Sequence, residues 1–66
     1  MTKEEFSAVE FGSGMKIKHH STLTNTDDEY FLGGVDFEEF LIGIINKKGE
    51  TAINWVRCEN CEIINQ

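Results

Sequence analysis

Asp36-Phe37-Glu38-Glu39-Phe40-Leu41-Ile42-Gly43-Ile44-Ile45-Asn46-Lys47-Lys48-Gly49-Glu50 decides the fold, because it can be read in two ways. As a helix, Asp36 is the N-cap with Glu39 three residues on, and Phe37, Phe40, Leu41, Ile44 and Ile45 follow the helical repeat. Lys47 and Lys48 then fill the last turn and Gly49 stops it. As a hairpin, Phe40 to Ile45 is a strand, and Lys47-Lys48-Gly49-Glu50 is a four-residue loop leading into Thr51 to Arg57. Three features favour the hairpin. The isoleucines prefer strands. Gly43 inside a helix costs about 1 kcal/mol, whereas in a strand it marks a bend or bulge. Closing the loop between Asn46 and Thr51 sets Ile44 opposite Ile53 and Ile42 opposite Trp55, which makes one apolar face. Leu41, Ile45, Ala52 and Val56 fall on the other face.

Upstream, Met15 to His19 alternates, with Met15, Ile17 and His19 on one side and Lys16, Lys18 and His20 on the other, as a first strand does. Ser21 to Asp28 reads as a polar loop. Tyr30-Phe31-Leu32 is a short apolar run broken by Gly33-Gly34. At the start of the chain, Thr2 and Glu5 have the spacing of a capping box, with Phe6 and Val9 on one side of a short helix that Gly12 ends. A helix this short holds only if Phe6, Val9 or Phe11 packs on the body.

The order of these pieces resembles the small SH3-like barrels over roughly residues 14–64: a basic alternating strand, a long loop, and a hairpin ending in Trp55-Val56-Arg57. Cys58-Glu59-Asn60-Cys61 and Glu62-Ile63-Ile64 follow. The resemblance implies a 3₁₀ turn with Cys58 and Cys61 in the two places usually held by leucine-like residues, and Ile63 in the core. It does not imply proline-peptide binding, because the loop from Ser21 to Glu39 lacks the acidic-aromatic groove pattern of SH3 domains that bind such peptides. The expected fold is thus mostly β, a small SH3-like barrel behind a short N-terminal helix or arm (residues 1–13). The alternative is α+β, with a helix at 37–48.

Sixty-six residues make a single domain. A chain of this size buries only about 60% of its unfolded surface, so its core is thin. With 39% hydrophobic residues, it has material for one core and little room for a pocket of about 300–1,000 Å³. Twelve acids against six bases give a net charge of −6. That argues against direct nucleic-acid binding through phosphate neutralisation and against binding to membranes, and it favours a protein partner with a basic surface. No apolar run of about 18 residues and no signal-peptide order occur, and two cysteines do not make a disulfide scaffold, so the expected location is cytoplasmic.

Two groups of residues invite a functional reading. Asp27, Asp28 and Glu29, with Asp36, Glu38 and Glu39, bracket Tyr30, Phe31, Phe37 and Phe40. They read as an acidic rim around aromatic anchors, on a loop between strands one and two, facing outward for want of nearby bases. Most of these rings are expected to fold back over the open end of the barrel instead. Cys58 and Cys61 have the spacing of half a zinc knuckle, which His19 and His20 could complete. Adjacent histidines on a strand point to opposite faces, so the competing reading is that both thiols are buried apolar plugs. The spacing from Asp28 to Glu39 also resembles a calcium loop, but Tyr30 and Leu32 occupy two ligand places. No catalytic set or phosphate loop is present, and no cofactor is expected. The expected function is a non-enzymatic protein-binding module acting through the acidic-aromatic residues. The alternatives are a small acidic inhibitor of a nucleic-acid-handling enzyme, of the kind carried by phages and mobile elements, and a zinc-stabilised module.

Overall fold

The computed structural model describes residues 1–46 and 51–65. A short helix α1 (Lys3–Ala8) precedes strands β1 (Lys16–Ser21), β2 (Thr26–Asp36), β3 (Leu41–Ile45) and β4 (Asn54–Arg57). A 3₁₀ turn (Cys58–Asn60) and β5 (Cys61–Asn65) follow. All pairings are antiparallel, in the order β4-β3-β2-β1-β5. The fold is mostly β with a short N-terminal helix, as expected. The sheet is nevertheless open: among the described residues no ladder joins β4 to β5, and the 3₁₀ turn carries the chain between the two edges.

The hairpin reading of the deciding stretch holds, and the helix alternative fails, because Leu41–Ile45 is a strand. The four-residue loop expected at 47–50 lies outside the described residues. The cap signal at Asp36 is real but is used differently. The Asp36 carboxylate accepts the backbone N–H groups of Glu38 (3.0 Å) and Glu39 (3.1 Å), as an N-cap does. Phe40 then enters the left-handed region at φ 58°, and the chain reverses into β3 instead of winding on.

The register between β3 and β4 is one residue from the expected one. Ile42 faces Val56, Ile44 faces Asn54, and Gly43 faces Trp55. A one-residue slip exchanges the faces. Val56 therefore joins the core, and the indole goes to the opposite side, where glycine leaves room for it. A Cβ on Gly34 would come within 3.0 Å of the Trp55 ring, and one on Gly43 within 2.6 Å of Ile53 Cγ2. Gly43 itself sits in regular register. The bulge lies in β2 between Leu32 and Gly34, so Gly33-Gly34 bends the strand without ending it.

Two further expectations are corrected, and one at the N-terminus is met. The polar loop shrinks from Ser21–Asp28 to the turn at 22–25, because Asp27, Asp28 and Glu29 are strand residues facing His20, His19 and Lys18. The His20–Asp27 hydrogen bond across the ladder offsets part of the poor strand propensity of acids. The capping box forms, with Thr2 Oγ1 accepting from Glu5 N–H and Glu5 Oε1 from Thr2 N–H. The helix stops at Val9, which is extended, rather than at Gly12.

The core is Phe6, Ile17, Ile42, Ile44, Cys58 and Cys61, each at most 3% exposed, with Tyr30, Leu32, Val35, Val56 and Ile63 packed against it. Burying one large side chain of this kind contributes about 1.5–3 kcal/mol. Phe6 brings the whole N-terminal helix down onto the sheet, which is what a helix of two turns needs in order to persist.

Candidate functional site

Strand β2 carries the candidate acids at its two ends, eight residues apart between Asp28 and Asp36, which is about 26 Å of extended chain before bending. The structure therefore does not gather them into one loop. At the first end, His20 Nδ1 donates to Asp27 Oδ1 at 2.7 Å, so this acid has an intramolecular base after all. Beside it Lys18 Nζ lies 3.4 Å from Glu62 Oε2 on β5. A polar cleft of about 310 Å³ opens here, lined by Lys18, His20, Asp27, Asn60 and Glu62 among others. Asp28 and Glu29 are exposed. Tyr30 and Phe31 are half-buried, and Tyr30 meets the His19 ring edge-on at 6.3 Å. Neither offers a free anchor.

The second end is built differently. Asp36 spends its carboxylate on the backbone of the β2–β3 turn, which leaves the Glu38 and Glu39 side chains exposed. Phe6 stands at the centre of the rings below them, with centroids 5.3 Å to Phe11, 5.4 Å to Phe37 and 5.6 Å to Phe40. These are four of the five phenylalanines in the chain. Lys3 Nζ lies 5.0 Å from the Phe40 centroid, a cation–π contact. Cys58 N–H donates to Phe40 C=O at 3.1 Å. A phenylalanine in the left-handed region is strained by about 1–2 kcal/mol, and these contacts hold it there. Phe40 is half-buried, whereas Phe37 remains 60% exposed. Phe37 lies among the acids in the sequence, but the role of Phe6 and Phe11 beneath it was not read from the sequence. The signals for it are the need of the short helix to pack Phe6 or Phe11 on the body and the concentration of phenylalanine in two short segments.

The cysteines are plugs in the 3₁₀ turn, 0% and 1% exposed. Cys61 Sγ donates to Arg57 C=O at 3.5 Å. Burial pushes the Cys61 thiol up to about 11 and raises that of Cys58, with the Glu59 charge adding to the latter. Raised thiols are poor nucleophiles and poor ligands. His19 faces Cys61 across the β1–β5 ladder, but His20 turns to Asp27, and among the described residues no three His, Cys, Asp or Glu side chains converge on a metal position. The calcium-like spacing from Asp28 to Glu39 runs along a strand and its turn rather than around a loop. The backbone nitrogen of Met1 donates to the carbonyls of Cys58 (2.9 Å) and Cys61, fixing the start of the chain to the 3₁₀ turn.

No helix among the described residues is long and apolar enough to cross a membrane. Comparison with protein-family models, with curated proteins and with solved structures gave no match.

Proposed function

We propose that this chain is a small SH3-like β domain that binds a protein partner, without catalysis, through the β2–β3 turn. The observation that carries the reading is Phe37: a large apolar ring left 60% in solvent on a backbone that Asp36 pins and Phe6 supports. An ordered, exposed aromatic flanked by Glu38 and Glu39 has the form of a binding anchor with a polar rim. The strand order and the 3₁₀ turn before β5 support the SH3-like part of the reading. The non-catalytic part is supported by the thiols, which are buried and raised, and by the His20–Asp27 pair, whose cleft offers no activated nucleophile. A partner with Lys or Arg around an apolar patch fits the net charge of −6.

The test is affinity capture from the native host with the wild-type chain and with a variant carrying Phe37→Ala, Glu38→Gln and Glu39→Gln. Circular dichroism checks that both are folded. A protein retained by the first and lost from the second supports the reading. Equal retention by both overturns it. Competition by duplex DNA for the retained protein, with steep salt sensitivity, would move the assignment to the nucleic-acid mimic.

A further inference from the structure

The edge of β2 opposite β3 is only partly used. Strand β1 covers it as far as Phe31, and the Leu32 N–H bond to Met15 C=O, 2.8 Å, continues the contact by one step. From Gly33 to Asp36, β2 has β3 on one side and, among the described residues, no strand on the other. The gap between this edge and residues 11–13 is a groove of about 400 Å³. Phe11, Phe37, Leu32 and Val35 supply its apolar lining, and Gly33 and Gly34 supply bare backbone.

This lining holds no charged side chain, yet acids stand next to both aromatic residues in the chain: Glu10 before Phe11, and Glu38 after Phe37. An unpartnered strand edge with glycine backbone suits the addition of an extended segment, whose main chain hydrogen-bonds to the edge while alternate side chains enter the groove. The acids select what lies beside that apolar side chain. A second copy of this chain would bring the same acids and another −6 into the contact, so self-association is disfavoured.

We infer that the groove between residues 11–13 and Gly33–Val35 receives an extended segment of the partner, with one large apolar side chain set between lysines or arginines. This rests on the protein-binding reading above and specifies the kind of partner. Phe37 is then shared: its exposed edge meets the partner surface, and its inner edge borders the apolar side chain.

The probe is an alternating lysine–leucine octapeptide titrated into the isotopically labelled protein, with glutamate–leucine and lysine–serine octapeptides alongside. The expected result is saturable movement of the amide signals of Gly12, Gly33, Gly34 and Val35 with the first peptide alone. Gly12 lines the groove and a Cβ there meets nothing within 4 Å, so Gly12→Leu fits the fold and adds bulk at the groove wall. It should weaken binding at least about tenfold. Three outcomes of the titration overturn the inference: no movement, movement centred on Asp27 to Glu29 with the lysine–serine peptide as effective, or full binding by Gly12→Leu. The wild-type map stands without the variant. A captured host protein that Gly12→Leu retains, and that the Phe37 triple variant loses, overturns the groove while leaving the protein-binding reading in place. Loss of the discriminating capture itself would remove that reading instead.

Discussion

The two ends of β2 hold the same kinds of residue and put them to opposite uses. At the first, three consecutive acids lie in a ladder opposite His20, His19 and Lys18, and the aromatic residues beside them are half-buried. At the second, Asp36 is consumed by backbone N–H groups, so the two glutamates and Phe37 are left for solvent. What separates a structural acid from an available one here is its backbone setting. A strand position supplies a cross-strand partner, and a capped turn turns the following side chains outward.

That contrast can be broken most forcefully from beneath. Phe6→Ala removes the ring on which Phe11, Phe37 and Phe40 converge, at a cost of about 3–5 kcal/mol. For a domain of this size that is much of the total stability. Urea unfolding should show a variant largely unfolded at room temperature, and a near-wild-type midpoint would mean that the rings are not the support of the turn.

The two cysteines link the two ends through their backbone: Cys58 N–H serves Phe40 at the turn, and Cys61 faces His19 at the ladder. Burial raises the native Cys61 thiol from 9.0 to about 11, so the unfolded chain releases that proton first as pH rises. The stabilisation is complete below about pH 9 and is lost as pH climbs towards about 11. Denaturant midpoints should fall across that window, and Cys61→Ala should flatten the fall. In the native state both thiols should react with a disulfide reagent only as fast as the fold opens.

A smaller effect separates the ends directly. Asp36→Ala leaves two turn N–H groups without their acceptor and should cost about 1–2 kcal/mol, with amide exchange quickened at Glu38 and Glu39. Asp27→Asn alters an exposed hydrogen-bonded pair with His20 and should change stability by no more than about 0.5 kcal/mol. Equal costs for the two substitutions would erase the distinction between them.

Much of this was legible in the sequence, for identifiable reasons. The Thr2–Glu5 box and the strand at Leu41–Ile45 follow from local spacing and short-range preference, whereas the Cys58–Cys61 spacing alone also fits half a zinc site, and their burial is what the SH3-like resemblance and the apolar character of free cysteine imply. The Asp36 cap was legible as a bonding pattern but not as an outcome, because whether a capped turn continues as a helix depends on Phe40, whose conformation is set by Phe6 and Cys58 from distant parts of the chain. The position of Trp55 was misread because apolar character does not say which face of a thin sheet has space. That depended on Gly34 and Gly43 lying side by side, a pairing fixed only by the bulge at Gly33. Single-residue propensity puts the first acids of β2 in a loop because it omits the side chains that meet them across the ladder. For the candidate surface, Phe37, Glu38 and Glu39 were visible, whereas the supporting rings and the vacant strand edge exist only in three dimensions.

Trp55 is the only tryptophan, and its indole rests half-exposed on glycine backbone, across the sheet from the core. The molecule therefore carries a built-in optical reporter for its outer leaf alone. Emission from that indole should follow loosening of the β3–β4 ribbon, while far-ultraviolet ellipticity follows the strands together. Any gap between the two unfolding curves measures how independently the outer leaf can peel away.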